Sequence, residues 1–198
     1  MKLCLYTAGL ILGAVMASAA SLSAQDPFVR TGQILYEGRA TDYVIRHLPV
    51  NAFPELPAAV RSELEHRNCQ IPQTYEAHRP ENVLSASLRQ PGSVDWAVLC
   101  SINGTVSLLV FFGESPVPAE LATAPETDRL QPHDPGGILG FNWGIDPATP
   151  EQVREAQTGL QPRPARLDHD ALADSVLERR TRYHYFANGL WTLLDLPD

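Results

Sequence analysis

The segment DWAVLCSINGTVSLLVFF, Asp95 to Phe112, constrains the fold more than any other part of the chain. An Asn-Gly dipeptide between apolar runs is the strongest short-range signal for a two-residue hairpin turn, and such a turn sets the register of its strands. With Asn103-Gly104 at the tip, Ser101 pairs with Val106, Cys100 with Ser107, Val98 with Leu109 and Trp96 with Phe111. Side chains alternate along a strand, so paired residues share a face. One face carries Trp96, Val98, Cys100, Leu109 and Phe111; the other carries Ala97, Leu99, Val106, Leu108 and Val110. Both faces are apolar and both need cover, which puts this hairpin in the middle of the protein. Asn103-Gly104-Thr105 is also a glycosylation sequon, although the turn accounts for it without a sugar.

The first residues read as a leader. Lys2 is followed by an apolar run to about Val15 and then by small residues, the order of a secretory signal peptide over 1–24 with cleavage near 19–24. The apolar run is shorter than the ~20 residues of a membrane-spanning helix. Residues 25–198 are then one globular domain, long enough to bury roughly 70% of its unfolded surface. The expected location is periplasmic or secreted, with no membrane span after the leader is removed. Lys2 is the only lysine, and the chain has a formal net charge of −8. Without a basic footprint, nucleic acid is not an expected partner.

Removal of the leader takes Cys4 with it and leaves Cys69 and Cys100. An even thiol count in an exported chain points to a disulfide. A buried free pair, a nucleophile and a metal ligand are the alternatives, and a covered strand is a poor setting for an activated thiol.

Along the rest of the chain, residues 34–36 and 43–50 read as strands. A helix opens at Leu56-Pro57 and runs to about Arg67 with Val60 and Leu64 inward, and Asn82 to Leu88 reads as a third strand. Residues 113–149 form the least regular part, with one short possible strand from Ile138 to Trp143. Thr149-Pro150-Glu151-Gln152 is a helix start with a capping box. Asp168 or Asp170 caps a third helix that ends at Arg179 or Arg180. A second Asn-Gly turn, Asn188-Gly189, closes a hairpin that pairs Phe186 with Trp191, His184 with Leu193 and Arg182 with Asp195. The expected class is α+β: an antiparallel sheet built around hairpins 95–112 and 182–195, about three short helices and one disulfide.

Chemistry is sparse. Asp168, His169, Asp170 and Asp174 form the densest set of metal-ligand types, with Asp170 and Asp174 sharing a helix face; acids placed near a positive helix end are the simpler account. His133, Phe141 and Trp143 lie in a glycine-rich stretch that could present an aromatic surface to a partner or saccharide, or else pin the loop to the core. His184 reads as a packed core histidine. No nucleophile, zinc or dinucleotide signature is present, and no cofactor is expected.

Asn68 to Gln73, Asp95 to Ser101, Asp168-His169-Asp170 and His184-Tyr185 to Gly189-x-Trp191 resemble an uncharacterised family of small secreted bacterial proteins, over roughly residues 44–198. The resemblance implies an exported domain with paired cysteines and supplies no activity. Leu88 to Val98 is also faintly similar to an integrin-type strand entry, but Arg89 to Ser93 lacks the aspartates of that calcium loop. The resulting expectation is a non-enzymatic extracytoplasmic binding domain for an envelope protein or small ligand, contacted through residues 131–146 and the nearby acidic segment. The alternatives are a secreted hydrolase using carboxylates with His133 or His169, and an envelope metal-binding protein using the Asp168 cluster.

Overall fold

The computed structural model describes residues 26–133, 135–177 and 179–195; the expected leader lies outside them. Strands β1 (Val29–Tyr36) and β2 (Arg39–Pro49) form the first hairpin, and helix α1 (Ala58–His66) follows. Next come β3 (Gln70–Gln73), β4 (Val83–Ala86), β5 (Asp95–Ile102), β6 (Thr105–Phe111), β7 (Ala119–Pro125), β8 (Leu130–Pro132), β9 (Leu139–Phe141) and β10 (Trp143–Ala148). Helix α2 (Pro150–Ala156) precedes β11 (Ala171–Val176), β12 (Arg180–Ala187) and β13 (Leu190–Leu194).

The class is therefore mostly β, and the α+β expectation is corrected. A nine-stranded sheet runs β7-β6-β5-β3-β2-β9-β8, with β1 on β2 and β4 on β5, and a four-stranded sheet runs β10-β11-β12-β13. The two Asn-Gly hairpins do not share a sheet: β5–β6 is central in the large one and β12–β13 ends the small one. Two α-helices are present among the described residues, with single 3-10 turns at Val50–Ala52 and Glu126–Arg129.

The expected hairpin registers hold. Ser101 pairs with Val106, Val98 with Leu109 and Trp96 with Phe111; Phe186 pairs with Trp191 and His184 with Leu193. The two faces of β5–β6 go where their polarity sends them. Trp96, Val98, Cys100, Leu109 and Phe111 pack with Val60 and Leu64 of α1. Ala97, Leu99, Val106, Leu108 and Val110 meet Trp143, Ile145 and Leu172 of the small sheet. On the far side of the small sheet, Ala171, Ala173 and Tyr185 pack against Val153 of α2. The order through the molecule is α1, large sheet, small sheet, α2. Fully buried Val60 and Leu64 each contribute about 1.5–3 kcal/mol by leaving water.

Helix α2 starts as expected: Gln152 N donates to Thr149 Oγ1 at 3.2 Å, and Thr149 N donates to Gln152 Oε1 at 2.7 Å. The helix expected after Asp168 is instead strand β11, paired on both sides with β10 and β12. Its Ala-Leu-Ala run favours helix locally, but burial of both faces in a central strand overrides that preference. Residues 113–149 hold four strands rather than irregular chain. Their prolines concealed this, and Pro125, Pro132 and Pro147 lie in β7, β8 and β10, each at the edge of its sheet, where a missing N–H breaks no ladder.

The disulfide joins Cys69 to Cys100 with the Cα atoms 5.4 Å apart. It ties the exit of α1 to the central strand. Asn82 joins the sheets at another point: its Nδ2 donates to Pro72 O at 2.7 Å and to Trp143 O at 3.1 Å, while its Oδ1 accepts from Ile145 N at 3.3 Å.

Candidate functional site

The residues singled out for binding do not form a surface. Phe141 and Trp143 are buried, 1% and 0% exposed, as part of the core between the sheets. The Trp143 ring lies under the Arg129 guanidinium, 4.0 Å from Cζ to its centroid, and its Nε1–H donates to Asp174 Oδ1 at 2.7 Å. His133 is exposed and stacks on Tyr75, with centroids 5.2 Å apart. Gly140 lies beneath this pair, where a Cβ would come within 2.8 Å of His133 Cδ2.

The Asp168 group is likewise dispersed, because β11 is a strand and Asp170 and Asp174 share no helix face. Asp168 Oδ1 meets His169 Nδ1 at 2.7 Å, and His169 Nε2 meets Phe186 O at 2.8 Å. Asp170 exchanges hydrogen bonds with Ser87, fastening the start of β11 to the end of β4. Asp174 Oδ2 lies 2.6 Å from Arg182 Nη2 and 3.1 Å from His184 Nε2. Burial alone would push the Asp174 carboxyl up; the His184 hydrogen bond and the charges of Arg182 and Arg129 hold it below the usual carboxylate range. Arg182 thus faces Asp174 on the inner side of the sheet, and Asp195 pairs with Arg180 rather than with Arg182 as expected. Among the described residues, no group of three or more His, Cys, Asp or Glu side chains could hold a metal ion.

A second buried network gave no local sequence signal. Glu126, 1% exposed, accepts from the Ser101 hydroxyl, meets His47 Nε2 at 2.7 Å and takes Arg30 Nη1 at 2.8 Å. Burial would raise its carboxyl, and the His47 and Ser101 hydrogen bonds with the His47 and Arg30 charges bring it below the usual range. Serine, histidine and glutamate are the parts of a nucleophilic triad, but their order is unsuited to one. The carboxylate, not the imidazole, holds the hydroxyl; held below its usual range it is a weak base, and Ser101 is only 3% exposed, closed to a substrate.

The open site lies where β4 and β10 pass each other. A cleft of about 510 Å³ is lined by Thr74, Glu76, Arg79, Glu81, Asp146 and Leu177, with the backbones of β4 and β10 as its walls. That volume suits a small ligand. Asn82 forms its end wall with φ at 67°, in the left-handed region that asparagine tolerates. Glu81 Oε2 accepts from Thr74 Oγ1 at 2.8 Å. The Asp146 carboxyl is pushed up by burial and by the Glu81 charge, with Arg79 opposing. A cation entering here relieves that repulsion. The sequence showed these acids only as scattered residues, because Glu76, Glu81 and Asp146 converge through the meeting of two sheets. Comparison with family models, curated proteins and solved structures gives no match to this chain.

Proposed function

We propose that the protein is a non-enzymatic extracytoplasmic binding domain that takes a small organic cation in the β4–β10 cleft. The observation that carries this reading is that Glu76, Glu81 and Asp146 line one ligand-sized cleft, three carboxylates against the single guanidinium of Arg79. Leu84, Ile145 and Leu177 add apolar wall, so an amine or guanidinium on a short hydrocarbon body fits better than a bare ion. The buried disulfide and the leader expected from the first residues support a location outside the cytoplasm. The partner surface expected at 131–146 gives way to this cleft, since Phe141 and Trp143 are interior. Ser101 and Glu126 are buried, 3% and 1% exposed, so this pair offers no nucleophile to a hydrolase's substrate.

Isothermal titration with agmatine, putrescine, tyramine and arginine, and with propionate as an anionic control, tests the proposal. Saturable heat from at least one amine, absent with propionate and abolished in Glu81→Gln and Asp146→Asn, supports it. Heat that survives both substitutions, or none from any amine, removes the cleft as the site.

A further inference from the structure

Strand β13 ends the small sheet, and its sequence Leu190-Trp191-Thr192-Leu193-Leu194 contains no charge and no proline. Of the other edge strands, β1 carries the charge of Arg30, β4 runs beside β10, and β7, β8 and β10 each carry a proline, one of the devices by which proteins blunt an open edge. β13 carries none, and it leaves Leu190 70% and Leu193 46% exposed. These two leucines lie on opposite faces of the strand, so a cap on one face would leave the other bare.

The hairpin determines which backbone groups are open. With Asn188-Gly189 as a two-residue turn, Ala187 and Leu190 flank it and exchange hydrogen bonds. Leu190, Thr192 and Leu194 therefore direct their N–H and C=O groups to β12. Trp191 and Leu193 direct theirs outward.

We infer that β13 pairs antiparallel with β13 of a second copy of this chain, about a two-fold axis through Thr192. That register pairs all five residues of each strand while outward groups meet outward groups: Trp191 lies opposite Leu193 of the second copy, and Leu193 opposite its Trp191. The same register sets exposed Leu190 against Leu194 of the second copy, and exposed Leu193 against its Trp191. Both leucines are covered at once, on opposite faces, by apolar residues of the same strand. Thr192 meets Thr192 at the axis, a favourable cross-strand pair. The contact is isologous and closed, as in most homodimers, and it joins two four-stranded sheets edge to edge. It does not involve the cleft, so its success or failure is independent of ligand binding.

The full chain is tested by sedimentation velocity over a concentration series and by disulfide trapping. In the two-fold register Thr192 opposes itself in a non-hydrogen-bonded pair, where Cα atoms lie about 4.5 Å apart and a disulfide closes without backbone movement. Thr192→Cys is expected to oxidise rapidly to a covalent dimer, while Leu190→Cys, whose partner position is Leu194, cross-links far more slowly. Wild type is expected to show a concentration-dependent dimer that Leu193→Lys weakens at least about tenfold, equivalent to 1.4 kcal/mol, with an unchanged circular dichroism spectrum. If Leu193→Lys disturbs folding, Leu190→Lys and the cysteine pair carry the test. A monomer at every concentration, a dimer indifferent to the lysines, or equal trapping at 190 and 192 overturns the inference, the second of these placing the contact elsewhere on the surface.

Discussion

The indole Nε1–H of Trp143 donates to Oδ1 of Asp174 at 2.7 Å in the interior between the sheets. Trp143 opens β10 and Asp174 lies in β11, where the residue directly opposite the aspartate is Ile145, two positions along from the tryptophan. The carboxylate is thus reached along the strand from Trp143 and across the sheet from Arg182 and His184 of β12. An aromatic ring that reads as a binding surface is the support of a buried charge.

Trp143→Phe keeps an aromatic ring but deletes the donor together with the indole's second ring, at a fully buried position. Leaving one Asp174 oxygen short of a partner is expected to cost about 1–3 kcal/mol. Asp174→Ala strands the Arg182 charge and is expected to cost about 3–5 kcal/mol. Urea midpoints at neutral pH check both; a Trp143→Phe protein as stable as wild type refutes the hydrogen bond's role.

Acid should unfold the protein through two carboxylates. Asp174 and Glu126 are both held below their ordinary values in the folded state, so they bind protons less readily when folded than when unfolded. Their stabilisation is complete above the unfolded values, near 4, and is lost as pH falls through the folded ones. Stability measured from pH 7 to pH 2 should therefore hold to about pH 5 and then fall. Glu126→Gln should be less stable at neutral pH and show a shallower acid slope, because the lowered carboxylate is gone. An unchanged slope in that variant would show that Glu126 takes no part.

Asn82→Ala removes three side-chain hydrogen bonds, to Pro72, Trp143 and Ile145, and places alanine at a φ of 67°. Two buried carbonyls and one N–H lose their partner, so a loss of about 3 kcal/mol or more is expected. Asn82→Asp cannot donate to the two carbonyls and should be nearly as damaging. Thermal unfolding of both variants is the check, with Asn82→Gly separating the backbone contribution from the side-chain one.

Replacing Cys69 and Cys100 together by serine should cost about 3.5 kcal/mol, since the bridge spans a sequence separation of 31. Both sulfurs are buried, so thiol reagents should find nothing in the native protein, and mild reductant should act only after partial unfolding. Two reactive thiols in the native protein would contradict the bridge.

Asp146→Asn should separate stability from binding. The Asp146 carboxyl is raised by burial and by Glu81, so a neutral amide relieves repulsion at pH 7. A slightly higher melting temperature with loss of amine binding is expected, the trade-off common at sites that hold charge under strain. Stability and affinity falling together would make Asp146 a structural residue.

Much of the architecture is legible in the chain because it is local. Two Asn-Gly turns impose two hairpin registers, Thr149 to Gln152 writes its own capping box, and Val60 with Leu64 marks the inner face of α1. Where local signals mislead, a longer-range term prevails. Ala171 to Val176 has helix-forming residues but is a central strand because it is covered on both faces, and the prolines of β7, β8 and β10 suggest loops but lie in edge strands.

The sequence by itself determined a twice-covered hairpin at 95–112, its pairing to the residue and the cap of α2, and pointed to a disulfide between Cys69 and Cys100 that the structure contains. Each follows from turn geometry, side-chain alternation or thiol count within a short span or a single pair. Only the tertiary structure decided that the two hairpins lie in separate stacked sheets. The same stacking turned Phe141 and Trp143 inward, gathered Asp174 with Arg182 and His184, set Glu126 among Arg30, His47 and Ser101, and opened the Glu81–Asp146 cleft. Those groupings arise where distant strands meet face to face or edge to edge, and no periodicity along the chain records which strands will meet.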